Sequence, residues 1–260
     1  MTLLRISEVP VAISESASSV LVVVGAGELG ARVGRQWVES GGECIAVTKS
    51  ENRHLNLREM GMKPVVVDSF EAPPVPAFWL FSTPGSQNQL FAMQTVGQVA
   101  RVRRAVFCSS TVVFRDNAFE RKQRATAAER AFYQWSGTSG VVVRLGGLYR
   151  SGRGPFNSLR RGRVPPAQSG ERLLPLIHYD DAATAVSNAL RVPTPKDWYA
   201  VASKPIPTRR EFYRAAEEIL GVDVPMLDGN SSDEKRFELQ RTFEDLLQRP
   251  LHPNWRDALR

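Results

Sequence analysis

Apolar positions in the first two thirds of the chain fall into two alternating textures. Val20-Leu21-Val22-Val23-Val24 is a continuous apolar run ending at a glycine, the pattern of a strand buried on both faces of a parallel sheet. From about 30 to 40 the apolar positions recur at helical spacing, until Gly41-Gly42 stops them. Residues 44–48 repeat the strand texture, and 51–60 the helical one, ending at Gly61. Residues 64–67 and 78–82 predict the third and fourth strands, the latter closed by Thr83-Pro84-Gly85. A helix over 87–102 leads to a strand at 105–108, and a helix over 119–135 to a strand at 141–145. Repeated βα units of this kind predict an α/β fold, a Rossmann-type doubly wound parallel sheet.

After Gly146 the texture changes. Gly152, Gly154, Pro155, Pro165 and Pro166 break the chain into loops and short helices. Helices are expected at 181–191, 208–220 and 233–247, with a short strand at 198–201. The predicted organisation is an N-terminal extension (1–19), a dinucleotide-binding domain (20–150), and a small C-terminal substrate lobe (151–260). Within that last span, 178–191 is expected to return to the Rossmann core. A lobe placed over the carboxyl edge of the sheet stands where ligands bind in open α/β folds.

Composition narrows the classes. Of 260 residues 42% are hydrophobic, enough for a sizeable core. The 34 Lys and Arg against 27 Asp and Glu leave a formal charge of +7, which favours anionic partners. The arginines at 101, 103, 104, 160, 161 and 163 lie in short clusters with no interleaved aromatics, so nucleic acid is not expected. Arg153 and the 160–163 cluster suit a small, anionic substrate instead. No stretch reaches the roughly 18 apolar residues of a membrane span, and the first residues lack the pattern of a secretory signal. A cytoplasmic protein, monomeric or homodimeric, is expected. Cys44 and Cys108 both lie in apolar runs and read as packing thiols. His54, His178 and His252 are far apart in the chain and lack metal-ligand spacing, so no metal is expected.

The strand at 20–24 runs into Gly25-Ala26-Gly27-Glu28-Leu29-Gly30, which opens a helix. In that setting Gly25 allows a tight turn, Gly27 lets the backbone approach a pyrophosphate, and Gly30 lets helix and strand pack closely. The amides at the helix start would take the phosphates. The second strand ends in Thr48-Lys49-Ser50, with Arg53 following, and carries no carboxylate to receive a ribose 2′-hydroxyl. Hydroxyls and cations there suit a 2′-phosphate, so NADP(H) is favoured over NAD(H).

Four ordered segments resemble the extended and atypical short-chain dehydrogenase/reductase superfamily, in its NAD-dependent epimerase/dehydratase branch and its small bacterial sugar-nucleotide-epimerase-like members. They are GAGELG at 25–30, FCSSTVVF at 107–114, RLGGLYRSGR at 144–153 and HYDDAATAV at 178–186; Pro253-Asn254-Trp255 is similar too. The resemblance implies that Ser110 is the group that hydrogen-bonds the reacting oxygen, flanked by Ser109 and Thr111. It implies that Thr83, Pro84 and Gly85 pass the cofactor ribose, that Leu145 and Gly146 begin the stretch beside the nicotinamide, and that His178 sits near the substrate loop. Asp180 or Asp181 would cap the following helix.

One departure bears on chemistry. Members of this superfamily place Tyr-x-x-x-Lys after the serine, where the lysine lowers the phenol pKa and the phenol exchanges the proton. None of Tyr133, Tyr149, Tyr179, Tyr199 and Tyr213 has a lysine four residues on. Tyr149 is the first substitute by position, followed by Tyr179 and His178; Arg121 or Lys122 could replace the lysine. Each also has a plain reading, as a packing residue, a loop tie or a solvated helix face. Two functions remain open: an NADP(H)-dependent oxidoreductase or epimerase acting on a carbonyl, imine or alcohol, and a catalytically degenerate NADP(H)-binding protein serving as redox sensor or partner subunit.

Overall fold

A computed structural model describes residues 19–97, 101–115, 119–229 and 237–260. The central sheet holds seven parallel strands: β1 (Val20–Val24), β2 (Glu43–Thr48), β3 (Lys63–Val66), β4 (Ala77–Phe81), β5 (Val102–Ser110), β6 (Gly140–Leu145) and β10 (Trp198–Val201). Their order is β10-β6-β5-β4-β1-β2-β3. Chain order reverses between β1 and β4, which opens a crevice at their carboxyl ends, the switch point of a doubly wound sheet.

Helices α1 (Glu28–Glu39) and α6 (Tyr179–Arg191) pack together on one face, and α3 (Ser86–Val96) and α4 (Phe119–Ser136) on the other. Alternate residues of each strand supply the two cores. Leu21, Val23, Val141 and Val143 meet Ala182, Ala185 and Ala189 of α6 on the first face. Trp79, Phe81 and Phe107 meet Phe132 of α4 and Trp135 beside it on the second. Small α6 residues meet the sheet on one face, and aromatics pack on the other.

The expected strands 20–24 and 198–201 match β1 and β10 residue for residue. The helix expected from 30 begins at Glu28, and the fifth strand runs 102–110 rather than 105–108. The helix at 51–60 divides into a 3-10 turn, Glu51–Arg53, and α2 (His54–Glu59). Of the helix at 233–247, residues 233–236 lie outside the described residues, and the remainder forms only α8 (Gln240–Asp245).

The second lobe carries β7 (Gly147–Tyr149), α5 (Pro155–Arg160), β8 (Gln168–Ser169), β9 (Leu176–His178), α7 (Arg209–Leu220) and β11 (Met226–Leu227). Strands β7 and β9 pair in parallel, as do β8 and β11. Its separate core joins Tyr149, Phe156, Leu159, Phe212, Tyr213 and Trp255. The chain returns to the main sheet more widely than 178–191, since β10 pairs with β6 and Leu246 and Leu247 join the main core.

Candidate functional site

The three glycines of the first loop meet different surroundings. Gly25 has φ +88°, and a Cβ there would lie 2.6 Å from the Thr83 amide nitrogen. A Cβ at Gly30 would lie 2.5 Å from Ser82 Oγ and 2.7 Å from the Gly25 carbonyl oxygen. Protein atoms therefore fill the space at both positions. A Cβ at Gly27 would meet nothing nearer than the Gly25 oxygen at 3.9 Å, and Gly27 faces a cleft of about 1160 Å³. Helix α1 begins immediately afterwards, with no side-chain cap from Gly27. Its first-turn amides have no intrahelical acceptor, so partial positive charge stands beside this open backbone. The geometry fits a pyrophosphate.

Leu29, Thr83, Pro84 and Gly85 also line the cleft. So do Ser109, Ser110, Leu145 and Gly146 on its far side. The end of β2 departs from expectation. Thr48 Oγ1 is tied to His54 Nε2 at 2.8 Å and donates to Val65 O at 3.3 Å, while Lys49 and Ser50 are exposed; none of the three lines the cleft. The 3-10 turn carries the chain away there and brings back Arg53, which lines the cleft and donates to Ala26 O at 3.2 Å. Arg32 and Arg35 of α1 line it as well. Their i, i+3 spacing just after Gly30 was the available signal.

Glu28 lines the cleft and is tied to arginines there. Its carboxylate receives Arg150 and Arg32, with Arg153 Nη1 at 3.4 Å. Burial alone would raise its pKa, but Arg150 and Arg32 outweigh that and hold it below the usual carboxylate range.

Ser110 is exposed at the end of β5, and its Oγ accepts the Val112 amide at 3.3 Å. The hydroxyl proton is left to donate into the cleft. Ser109 Oγ instead donates to Glu129 Oε1 at 2.6 Å, and Gln89 Nε2, buried, donates to Cys108 O at 2.7 Å. These bonds fix the strand end that carries Ser110.

Two expected catalytic groups stand elsewhere. Tyr149 is 1% exposed, belongs to the core of the second lobe and does not line the cleft. Burial pushes its phenol pKa well up. Strand β7, paired with β9, carries the side chain into the second-lobe core. His178 caps α6 through Nδ1, which accepts the Asp180 amide at 3.2 Å, and it too lies outside the cleft lining. Burial and neighbouring His252 lower its pKa, consistent with a neutral, accepting ring. Tyr179 does line the cleft, with the guanidinium groups of Arg153 and Arg32 at 5.3 and 5.8 Å from its ring. Of the two acids that follow, Asp180 pairs with Arg32, and Asp181 accepts the Leu251 and His252 amides at 2.7 and 2.9 Å.

The fold brings His178, Asp180 and His252 together although the sequence separates them, with potential ligand atoms within 4.8 Å of one another. The two imidazole rings, however, lie tilted by 33° with centroids 3.6 Å apart. A tetrahedral zinc, with Zn–N near 2.1 Å, would hold two ring centres roughly 5 Å apart. As folded, the two rings stand closer together than that. Among the described residues no helix is long and apolar enough to cross a membrane.

No family model matches the chain. Protein YeeZ of Escherichia coli (strain K12) is 28% identical over 159 residues, which cover 55% of this chain and 57% of that protein. The match thus spans a little over half of that relative's length. A functionally unknown conserved protein from Silicibacter pomeroyi DSS has a similar structure, with a TM-score of 0.70 and 22% identity over 93% of this chain and 97% of that one. UDP-glucose 4-epimerase of Thermotoga maritima, solved with UDP-glucose, matches with a TM-score of 0.61 and 15% identity over 93% and 96%. The Bordetella bronchiseptica enzyme WbmF, solved with NADH, gives 0.61 and 14% over 93% and 90%.

Proposed function

We propose that this chain, whose fold is that of the nucleotide-sugar epimerases, is an NADP(H)-binding oxidoreductase or epimerase-like enzyme of the atypical short-chain class. The observation that carries the reading is the open backbone at Gly27, set at a helix start and facing a dinucleotide-sized cleft while its sister glycines are filled. The amides that begin α1 would take the pyrophosphate, and Thr83, Pro84 and Gly85 would wall the ribose. Arg53 would meet a 2′-phosphate, which supports NADP(H) over NAD(H).

A bound nicotinamide would supply or accept a hydride at the floor of the cleft. Ser110 would donate its hydroxyl proton to the substrate oxygen or nitrogen. Tyr179 lines the cleft too, and its phenol hydroxyl can donate a hydrogen bond to the substrate there. A second reading, an NADP(H)-binding sensor without turnover, draws on one observation. The α4 residues that face the cleft are Arg121, Arg124 and Ala125, with no phenol among them.

The experiment measures NADPH and NADH affinity by calorimetry, then NADPH oxidation with a panel of carbonyl and imine compounds. The enzyme reading expects tighter NADPH binding, a loss of about tenfold in Arg53→Ala with NADH unaffected, and turnover that collapses in Ser110→Ala. Equal affinity for both cofactors overturns the NADP(H) assignment. Turnover untouched by Ser110→Ala overturns the catalytic one, and tight binding without turnover supports the sensor.

A further inference from the structure

Seven arginines line the cleft, at 32, 35, 53, 121, 124, 150 and 153, against one carboxylate, Glu28. A dinucleotide does not answer all of them. Arg32 is held by Asp180, Arg35 lies 3.5 Å from Glu39, and Arg150 and Arg153 share Glu28. Arg53, at the β2 side, is placed for the adenosine half. Arg121 and Arg124, on α4, line the same cleft as Ser110.

Nothing among the described residues neutralises Arg121. The buried acid of α4, Glu129, is fully engaged: Arg144 approaches both its oxygens at 3.1 and 2.8 Å, and Ser109 donates to it. Glu120 serves Arg124 at 2.8 Å from an exposed position. Helical spacing explains why these side chains share the cleft, since 121, 124 and 125 lie at i, i+3 and i+4 on one face. A Tyr-x-x-x-Lys pair would need the same i, i+4 spacing to direct both side chains inward. Arg121 and Ala125 occupy such a pair of positions. The result is a positive charge, rather than a phenol, on the α4 face that lines the cleft.

Resting on the reading of the cleft as a dinucleotide site, we infer that Arg121 and Arg124 form an anion subsite beside Ser110, which receives a carboxylate or phosphate group of the substrate. Ser110 would then act on a carbonyl, imine or alcohol within reach of that anion. The substrate class is a small oxo or hydroxy acid, or a phosphate ester. A planar guanidinium pairs with a carboxylate or phosphate in two-point fashion, which fixes the orientation of the attached carbon as well as its affinity.

The test uses the full chain, already saturated with NADP⁺ as judged by calorimetry, and titrates oxalate, inorganic phosphate and the neutral isostere oxamide. At least one anion should bind the loaded protein, with oxamide at least tenfold weaker. Arg121→Gln should weaken the anion about tenfold and Arg124→Gln less, while NADP⁺ affinity stays within twofold. Both side chains are exposed, and unchanged thermal unfolding checks that the variants fold. The inference is overturned if neither anion binds the loaded protein, if the double variant binds as the parent does, or if the anions displace NADP⁺. Failure of NADP⁺ to bind the parent is a separate, earlier result, and removes the cofactor reading itself together with the premise taken from it.

Discussion

Glu129 grips Arg144 with both carboxylate oxygens, Oε1 to Nε at 3.1 Å and Oε2 to Nη2 at 2.8 Å, in a site where the glutamate side chain is 5% exposed. The guanidinium is covered by the Trp198 ring at 4.4 Å, and the same carboxylate receives Ser109. Breaking such a pair strands a charge away from water. Glu129→Gln is therefore expected to lower the unfolding free energy by about 3–5 kcal/mol in urea titration. Replacing both residues with methionine should recover most of that loss. A single-variant loss below about 1 kcal/mol would place the pair in solvent after all.

The glycines at 25 and 27 separate folding from binding. Gly25→Ala sets a Cβ against the Thr83 backbone at a positive φ, so it should lower Tm by several degrees. Gly27→Ala meets open space and normal backbone angles, with φ at −69°. Its Tm should stay within about 2 °C of the parent, while NADPH affinity drops tenfold or more because the methyl occupies the phosphate approach. Unchanged NADPH affinity in Gly27→Ala would remove the pyrophosphate from this loop.

Tyr149 was placed at the reacting centre by its motif, and the structure seals it in the second lobe. Tyr149→Phe should leave any turnover and its pH profile unaltered, whereas Tyr149→Ala should cost about 3–5 kcal/mol of stability, as loss of a buried ring does. A large fall in kcat for Tyr149→Phe with stability intact would return the phenol to the site.

Burial pushes the thiols of Cys44 and Cys108 up to about 12 from an ordinary 9.0. The unfolded chain releases these protons near 9, and the folded chain retains them. Their contribution is complete below pH 9 and is lost as pH rises toward 12, at up to about 1.4 kcal/mol per pH unit for each thiol. Urea unfolding at pH 8, 9.5 and 10.5 should show the fall, and the Cys44→Ala, Cys108→Ala double variant should flatten it. Equal slopes in the two proteins would mean that both thiols titrate freely when folded.

Local pattern carried the sheet. Continuous apolar runs marked the strands because both faces of each are covered, and β10 stood out as Trp-Tyr-Ala-Val within a polar stretch. What pattern could not carry was direction. Thr48, Lys49 and Ser50 lie next to the crevice in sequence, yet a single 3-10 turn decides that Arg53 enters it and they do not. The approach of His178 to His252 depends on Asp181 holding two amides of the C-terminal segment, a contact between residues 70 positions and more apart. The arginines at 121 and 124 were legible as charges on a helix, but their facing the cleft follows from how α4 packs on β5 and β6.

The place of β10 bears on biosynthesis. The outermost strand beside β6 is made only after β7, α5, β8, β9 and α6. A ribosome that has released residues up to 150 has released every other strand of the sheet, but leaves the backbone of β6 bare along that side. Such an edge is a template for other strands. The nascent protein therefore carries an open sheet edge at β6 until Val201 emerges.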